Sequence, residues 1–335
     1  MTVALITGAS GLVGSHLVER LQRDGWQLRA LVRDRSRASW LVAQGVTLYD
    51  GDTQDAVAFA RAAEGTQFVF HCAAAITPRG GWEAYRAPNI DGTRHAIEAA
   101  AAAGARLLHL SSVAVYGPDG RYALSHGSGL QELQPLRPIP EGAWYARSKR
   151  ESEAMVMSAH HEGRIWATAV RPCVIYGPRD RQFVPRVASL LRQPLAPRIG
   201  NGRAALSIVH ARSVAALAVL AVTSEVGAGR AYNVTNDPPI TVNQFYEAAQ
   251  GGLERRVRWV PVPGAVAQGA LSAAGAVLRA LRVPGSALLN ATSLDFLLQD
   301  NPFSSERARI ELGWTSDISP MDAVAEAFRD SAGRR

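Results

Sequence analysis

Apolar residues come in short runs through the first half of the chain, separated by stretches in which they recur every three to four positions. The runs at 3–7, 27–32, 46–49, 67–72, 106–110 and 167–171 are too short for stable helices and predict buried strands. Between them, residues 12–23, 54–63, 89–103 and 143–162 carry the helical period. Strand–helix alternation of this kind predicts an α/β fold: a doubly wound parallel sheet with helices on both faces. The second half is less regular. A Pro- and Arg-rich segment follows residue 177, and Pro261, Pro263, Pro284 and Pro302 punctuate the last third. That texture predicts a smaller, loop-rich lobe over 178–204 and 237–335, with the first lobe spanning 1–177. Residues near 205–236, chiefly 208–221 and 231–234, are expected to return to the first lobe.

With 335 residues the chain can bury a large core divided between two such lobes. The charged fraction of 19% against 47% hydrophobic is that of a soluble globular protein. The formal charge is +7, but no run of five or more basic residues occurs, so nucleic acid is not expected as a partner. Cys72 and Cys173 each lie inside an apolar run, which fits reduced thiols better than a disulfide framework. The N-terminus enters a strand at Val3–Ile6 with no charged leader, and the apolar stretch 262–281 is broken by Gln268, Arg279 and glycines. A cytoplasmic protein without a secretory signal or transmembrane segment is therefore expected. The histidines show no metal-ligand spacing, so no metal is expected.

Strand 3–7 runs directly into Thr7-Gly8-Ala9-Ser10-Gly11-Leu12-Val13-Gly14 and then an apolar helix. Gly8, Gly11 and Gly14 permit a tight turn. They let the backbone N–H groups around Ser10, Gly11, Leu12 and Val13 approach a pyrophosphate at a helix N-terminus. The spacing is GxxGxxG and predicts a dinucleotide site. The next strand ends at Val32, where an acid would bind the ribose 2′-hydroxyl of NAD(H). Arg33 follows, with Arg35 and Arg37 nearby. An arginine there suits a 2′-phosphate, so NADP(H) is favoured over NAD(H), while Asp34 keeps NAD(H) open. Asp52 and Thr53, after the third strand, are candidates for the adenine end of the cofactor, and Asp52 can equally cap the next helix.

Of the 36 basic side chains only Lys149 is a lysine, four residues after Tyr145. The chain uses arginine for every other positive charge, so this position calls for a compact ammonium rather than a planar fork. Residues four apart share a helix face, and an ammonium beside a phenol favours phenolate. A tyrosine tuned in this way works as an acid and base near neutral pH.

In order along nearly the whole chain stand TGASGLVG, FHCAAA at 70–75, Asn89-Ile90-Asp91-Gly92-Thr93 and HLSSVAVYG at 109–117. Tyr145 and Lys149, VRPCVIYGP at 170–178, Ile208-Val209-His210 and YNVTND at 232–237 follow. These motifs resemble the extended short-chain dehydrogenase/reductase family. LRALVRD at 28–34 is similar to the dihydroflavonol reductases, and FHCAAAI and ERARIELGW at 306–314 to the 3β-hydroxysteroid dehydrogenases. The resemblance implies that Ser112, Tyr145 and Lys149 are catalytic, with Ser111 as the alternative serine. It implies that Tyr145 exchanges a proton with the substrate oxygen, Ser112 holds that oxygen, and Lys149 binds the nicotinamide ribose. It also implies that Ala73, Ala74, Ala75, Pro172 and Val174 line the cofactor and that Asn89 is structural.

Within that family, dehydratases carry an Asp-Glu pair where this chain has Val113 and Ala114, which argues against dehydration. Sugar-nucleotide enzymes grip the diphosphate with an arginine where this chain has Leu206, although Arg203 lies close by. Ile76, Trp82, Val113, Trp144, Cys173, Ile175 and Phe183 are candidates for an apolar substrate wall. The expectation is an NADP(H)-dependent oxidoreductase interconverting hydroxyl and carbonyl on a steroid-, flavonoid- or lipid-like small molecule. A sugar-nucleotide 4-epimerase and a non-catalytic NADP-binding regulator are the alternatives. The resemblance further implies a homodimer through a four-helix interface formed by the helices near 89–103 and 143–162.

Overall fold

The strands in chain order are Val3–Thr7 (β1), Gln27–Val32 (β2), Thr47–Asp50 (β3), Phe68–His71 (β4), Arg106–Leu110 (β5) and Ala167–Pro172 (β6). Val174–Tyr176 (β7), Leu195–Ile199 (β8), Ile208–His210 (β9), Ala231–Val234 (β10) and Arg258–Val262 (β11) follow. They belong to a computed structural model that describes residues 1–76, 80–117, 131–133, 136, 138–280 and 294–334, with backbone alone for residue 37 and 275–280. Two compact units emerge. The first comprises Met1–Ile175, Ala211–Thr235 and Phe303–Thr315; the second comprises Tyr176–His210, Asn236–Pro302 and Ser316–Arg335.

The first unit is built on a seven-stranded parallel sheet of order β10-β6-β5-β4-β1-β2-β3. The chain winds outward from β1 to β3 in one direction and from β4 to β10 in the other. The order therefore reverses between β1 and β4, and ligand crevices in open α/β sheets form at the carboxyl ends of the strands beside such a reversal. β1 and β4 are buried on both faces, which is why they read as continuous apolar runs. The helices Leu12–Arg23, Ala56–Ala63, Gly92–Ala103 and Trp144–His161 lie within two residues of the expected boundaries, except that 87–91 forms a π-helical turn ahead of Gly92. Phe59, Val69, Ala100, Leu107 and Val156 are among the residues closing the core between helices and sheet.

The helix Ala211–Thr223 and β10 return to this unit. So does Phe303–Thr315, which the sequence reading gives to the second lobe. Its reason is a set of polar ties. Ser305 Oγ accepts from Thr235 N at 3.0 Å, and Arg307, 3% exposed, donates to Ala231 O at 3.3 Å. Tyr232 donates to Glu311 at 3.0 Å. Such contacts leave no hydrophobic period to read.

The second unit pairs β8 with β11 in parallel and packs them with the helices Phe183–Leu191, Val242–Gly252 and Pro320–Gly333. Thr241 and Gln244 form a reciprocal capping box at the start of Val242–Gly252. Phe245 lies against Phe183 and Phe328, with ring centroids 5.9 and 5.7 Å away. Leu206 is buried in the same core, 1% exposed. The helix Gly264–Ala280 covers most of the apolar stretch noted above, and no described helix is long and apolar enough to cross a membrane.

Candidate active site

The glycine loop is shaped by close backbone contact. Gly8 has φ +69°, and a Cβ there would lie 2.9 Å from Ala73 N. At Gly14 it would lie 2.2 Å from Gly8 O and 2.7 Å from Ala9 Cα, so the loop and the helix behind it admit no side chain. Gly11 is the N-cap of Leu12–Arg23 and is anchored by its own N–H to Gly8 O at 2.8 Å. Among the described residues no side chain caps this helix, and no acid lies in its first turn. The amides of Leu12, Val13 and Gly14 stand where a helix has no internal acceptor, which together with the dipole makes an anion cradle. Ser10 is half-buried at its rim. The cradle fits a dinucleotide pyrophosphate.

Arg33 follows β2 and is 81% exposed, with Nε 3.6 Å from Asp52 Oδ2. Arg35 is drawn away by Asp50, at 2.6 Å. Asp52 accepts from Gln54 N at 3.0 Å and does not cap the helix. Asp55 does, accepting from Val57 N and Ala58 N, so that alternative for Asp52 falls away. The carbonyl of Thr53 bonds His95 Nδ1 at 2.9 Å.

Ser112 lies just beyond β5 and caps the short turn Val113–Tyr116, its Oγ accepting from Ala114 N at 3.2 Å. The same hydroxyl is the group that lowers the phenol of Tyr145, on the first turn of Trp144–His161. One turn further along, Lys149 is 4% exposed and donates to Leu110 O at 2.7 Å. Burial pulls its pKa down to about 8, opposed by Cys72 and Glu153. Burial also pushes the Tyr145 phenol above its ordinary value, the Ser112 hydroxyl pulls it back, and Tyr85 adds to the rise. The expected bias of Tyr145 toward phenolate by Lys149 is thus not the arrangement found. The ammonium is turned to the Leu110 carbonyl, and Ser112 is the group that favours ionisation.

Asn89 binds the strand-to-loop segment to this helix. Its Oδ1 accepts from Ala75 N at 2.7 Å, and its Nδ2 donates to Ala75 O at 3.0 Å and to Ser148 Oγ at 2.9 Å. Ala73 N donates to Thr7 Oγ1 at 3.3 Å, so Ala73, Ala74 and Ala75 run beside the glycine loop. Pro172 ends β6 and Val174, 40% exposed, opens β7.

Sequence reasoning missed a buried row of histidines beneath Lys149. Thr7, His71 and His109 are register partners on β1, β4 and β5. His71 Nδ1 lies 2.9 Å from Thr7 Oγ1 and its Nε2 3.2 Å from Thr93 Oγ1. The His71 and His109 rings stack at 5.9 Å. Burial, then Lys149, lowers His71 to about 3; His109 is held well below its ordinary value by the same causes and by His71. Both are neutral near pH 7. Only their position at the strand ends, next to the motif residues, marks them in the sequence.

Of the expected substrate wall, Trp82 and Trp144 meet with ring centroids 6.1 Å apart, and the Arg147 guanidinium lies 4.0 Å over Trp82. Val113 and Ile175 are half-buried, and Ile76 is 46% exposed. Cys173 is instead buried, its thiol hydrogen-bonded to Thr235 and pushed up to about 12 by burial. Phe183 belongs to the second unit, where it packs on Phe245 and Phe296. Among the described residues no cluster of three or more metal-ligating side chains occurs.

The profile of the NAD dependent epimerase/dehydratase family matches residues 4–235. A ceramide reductase of Caulobacter vibrioides is 31% identical over 95% of this chain and 87% of its own length. A 2-alkyl-3-oxoalkanoate reductase of Stenotrophomonas maltophilia is 29% identical over 98% of this chain and 99% of its own. The crystal structure of a Thermus thermophilus UDP-glucose 4-epimerase with NAD superposes with a TM-score of 0.71 at 20% identity, over the whole of both chains. The chain belongs to the NAD dependent epimerase/dehydratase family. It is an NAD(P)-dependent oxidoreductase of the short-chain dehydrogenase/reductase kind, acting on the hydroxyl/carbonyl pair.

Proposed function

We propose that this protein is an NADP(H)-dependent reductase of an apolar ketone, with Tyr145 exchanging the proton. The observation that carries the reading is the helix that holds Tyr145 in its first turn and the buried Lys149 in the next, tied through Lys149 to Leu110 O two residues before Ser112. When bound, the nicotinamide supplies or takes up the hydride. Gly8, Gly11 and Gly14, with the amides near Ser10, Leu12 and Val13, would hold the pyrophosphate. Arg33 would meet the 2′-phosphate, with Asp52 and Thr53 toward the adenine. Lys149 would hold the nicotinamide ribose, and Ala73–Ala75, Pro172 and Val174 would flank the cofactor.

Tyr145 donates its phenolic proton to the substrate oxygen in reduction and recovers it in oxidation. Its raised pKa keeps the phenol protonated at neutral pH, the state reduction needs. Ser112 donates to the same oxygen and stabilises charge as it develops. The substrate class is read from two observations. The relatives named above act on a ceramide and on a 2-alkyl-3-oxoalkanoate. Leu206, at the position of the diphosphate-gripping arginine, is sealed in an apolar core and offers no charge to a sugar nucleotide. Trp82, Trp144, Val113, Ile76 and Ile175 are the proposed apolar contacts. A cytoplasmic homodimer through Gly92–Ala103 and Trp144–His161 completes the proposal.

The test is absorbance at the nicotinamide band with NADPH or NADH, offered long-chain 3-oxo compounds, steroid ketones and UDP-glucose in turn. Net NADPH oxidation on an apolar ketone is expected. Interconversion of UDP-glucose and UDP-galactose without net oxidation would replace the proposal with epimerisation, and binding without turnover of any of them would favour a regulator.

A further inference from the structure

Beside the site lies a buried ion pair that the chemistry above does not use. Arg171 on β6 donates from Nε to both carboxylate oxygens of Glu153, at 3.1 and 3.0 Å, and from Nη2 to Oε1. The two side chains are 8% and 7% exposed. Arg171 Nη1 donates to the hydroxyl of Tyr116 at 2.8 Å, and that hydroxyl donates to Asn233 Oδ1 at 3.1 Å. The guanidinium also lies 5.2 Å over the Tyr116 ring. A pair so buried gains little net stability over an apolar replacement, because desolvation offsets the attraction. Its placement is more telling than its strength.

Tyr116 ends the turn that Ser112 begins. Glu153 stands one helical turn beyond Lys149, and so two beyond Tyr145, on Trp144–His161. From the same helix Arg150 donates to Val115 O through Nε at 2.9 Å and Nη2 at 2.6 Å. The Ser112 turn is therefore held to the Tyr145 helix at two points, Val115 and Tyr116, by groups that do not react. Asn233 extends the tie: its N–H donates to Glu132 at 2.8 Å and its Nδ2 to Gln131 at 3.3 Å.

We propose that Tyr116, Arg171 and Glu153 are positioning residues that hold the Ser112 hydroxyl in hydrogen-bond register with Tyr145. The proposal rests on reading Ser112, Tyr145 and Lys149 as the reacting set. The Tyr116 oxygen is its most exacting member. Without it, Arg171 Nη1 and Asn233 Oδ1 each lose a buried partner, while the ring can keep its stack on Phe303, centroids 5.8 Å apart.

The experiment is Tyr116→Phe in the full-length enzyme, with rates expressed per NADPH-binding site so that unfolded protein does not count. On the ketone that wild type reduces, kcat is expected to fall roughly 10- to 100-fold, the scale of an ångström-sized misplacement, with KM and the NADPH Kd within about twofold. The limb of the kcat–pH profile that reports Tyr145 should move to higher pH, because Ser112 is the group lowering that phenol. Glu153→Gln should do the same from the other end of the chain of bonds. Tyr246→Phe, a buried tyrosine in the core of the second unit, should leave kcat per site unchanged. Wild-type kcat per site and an unmoved limb in Tyr116→Phe would overturn the proposal. Wild-type turnover by Tyr145→Phe would instead sink the reading of the reacting set itself, so the two failures are distinct.

Discussion

Lys149 donates its ammonium proton to the carbonyl oxygen of Leu110 at 2.7 Å, joining the helix of Tyr145 to the strand that delivers Ser112. A small, rotatable head makes that bond in a pocket that leaves the residue 4% exposed. A guanidinium brings a wide plane and two more nitrogens to the same space. Lys149→Arg therefore keeps the charge and should still lose at least about 100-fold in kcat, read as NADPH oxidation, because the reacting groups are displaced. Near-wild-type turnover would mean that charge alone is required there.

The Lys149 pKa of about 8 has a consequence for cofactor binding. Below it the free enzyme carries the ammonium that the proposed ribose contact needs. Above it the proton must be taken up again on binding. The Kd for NADPH, followed by nicotinamide fluorescence, should be flat below pH 8 and rise above it, approaching about tenfold per pH unit. Lys149→Met should flatten the curve; an unchanged slope in that variant would assign the titration to another group.

His71 sets an acid limit on stability. Its folded pKa of about 3 lies below the unfolded value of about 6.5. Between those values the unfolded chain takes up a proton that the folded chain refuses. The stability it protects is fully present above pH 6.5 and lost as pH falls toward 3. A tenfold change in proton affinity is worth about 1.4 kcal/mol, so the loss should be about 3–5 kcal/mol, with His109 acting in the same direction. Urea midpoints across this range should show it, and His71→Asn should have a shallower slope, whatever its stability at pH 7. An equal slope would place the acid sensitivity elsewhere.

Arg33 stands exposed at the end of β2, with Asp52 Oδ2 3.6 Å from its Nε. Arg33→Asp removes the cation proposed for the 2′-phosphate and supplies an acid for a 2′-hydroxyl. The ratio of kcat/KM for NADPH over NADH should fall by about 10-fold or more, since charged hydrogen bonds are worth roughly 1.5–3 kcal/mol. An unchanged ratio would remove Arg33 from cofactor selection.

Much of this was legible in the sequence for a physical reason. Strands such as Val3–Thr7 and Phe68–His71 are buried on both faces, so they read as unbroken apolar runs, and Gly8 and Gly14 are positions where a Cβ meets backbone. What escaped depends on contacts distant in sequence. His71 and His109 look like interruptions in apolar runs until strand register stacks them. Phe303–Thr315 joins the first unit through Ser305 and Arg307, whose polar ties carry no period. The expected effect of Lys149 on Tyr145 followed from spacing on one helix, whereas the ammonium found a carbonyl on β5. Asp52 and Asp55 are equally good caps by residue type, and only the turn at Gln54 tells them apart.

The most direct test of the account is Tyr145→Phe, which removes a single oxygen from the proposed reacting set. NADPH titration should give a wild-type Kd, because the phosphate cradle and Lys149 are untouched. Oxidation of that NADPH by the apolar ketone that wild type reduces should fall at least about 1,000-fold, within the range that general acid–base groups contribute. Reduction at an undiminished rate by a protein that binds cofactor normally would contradict the account.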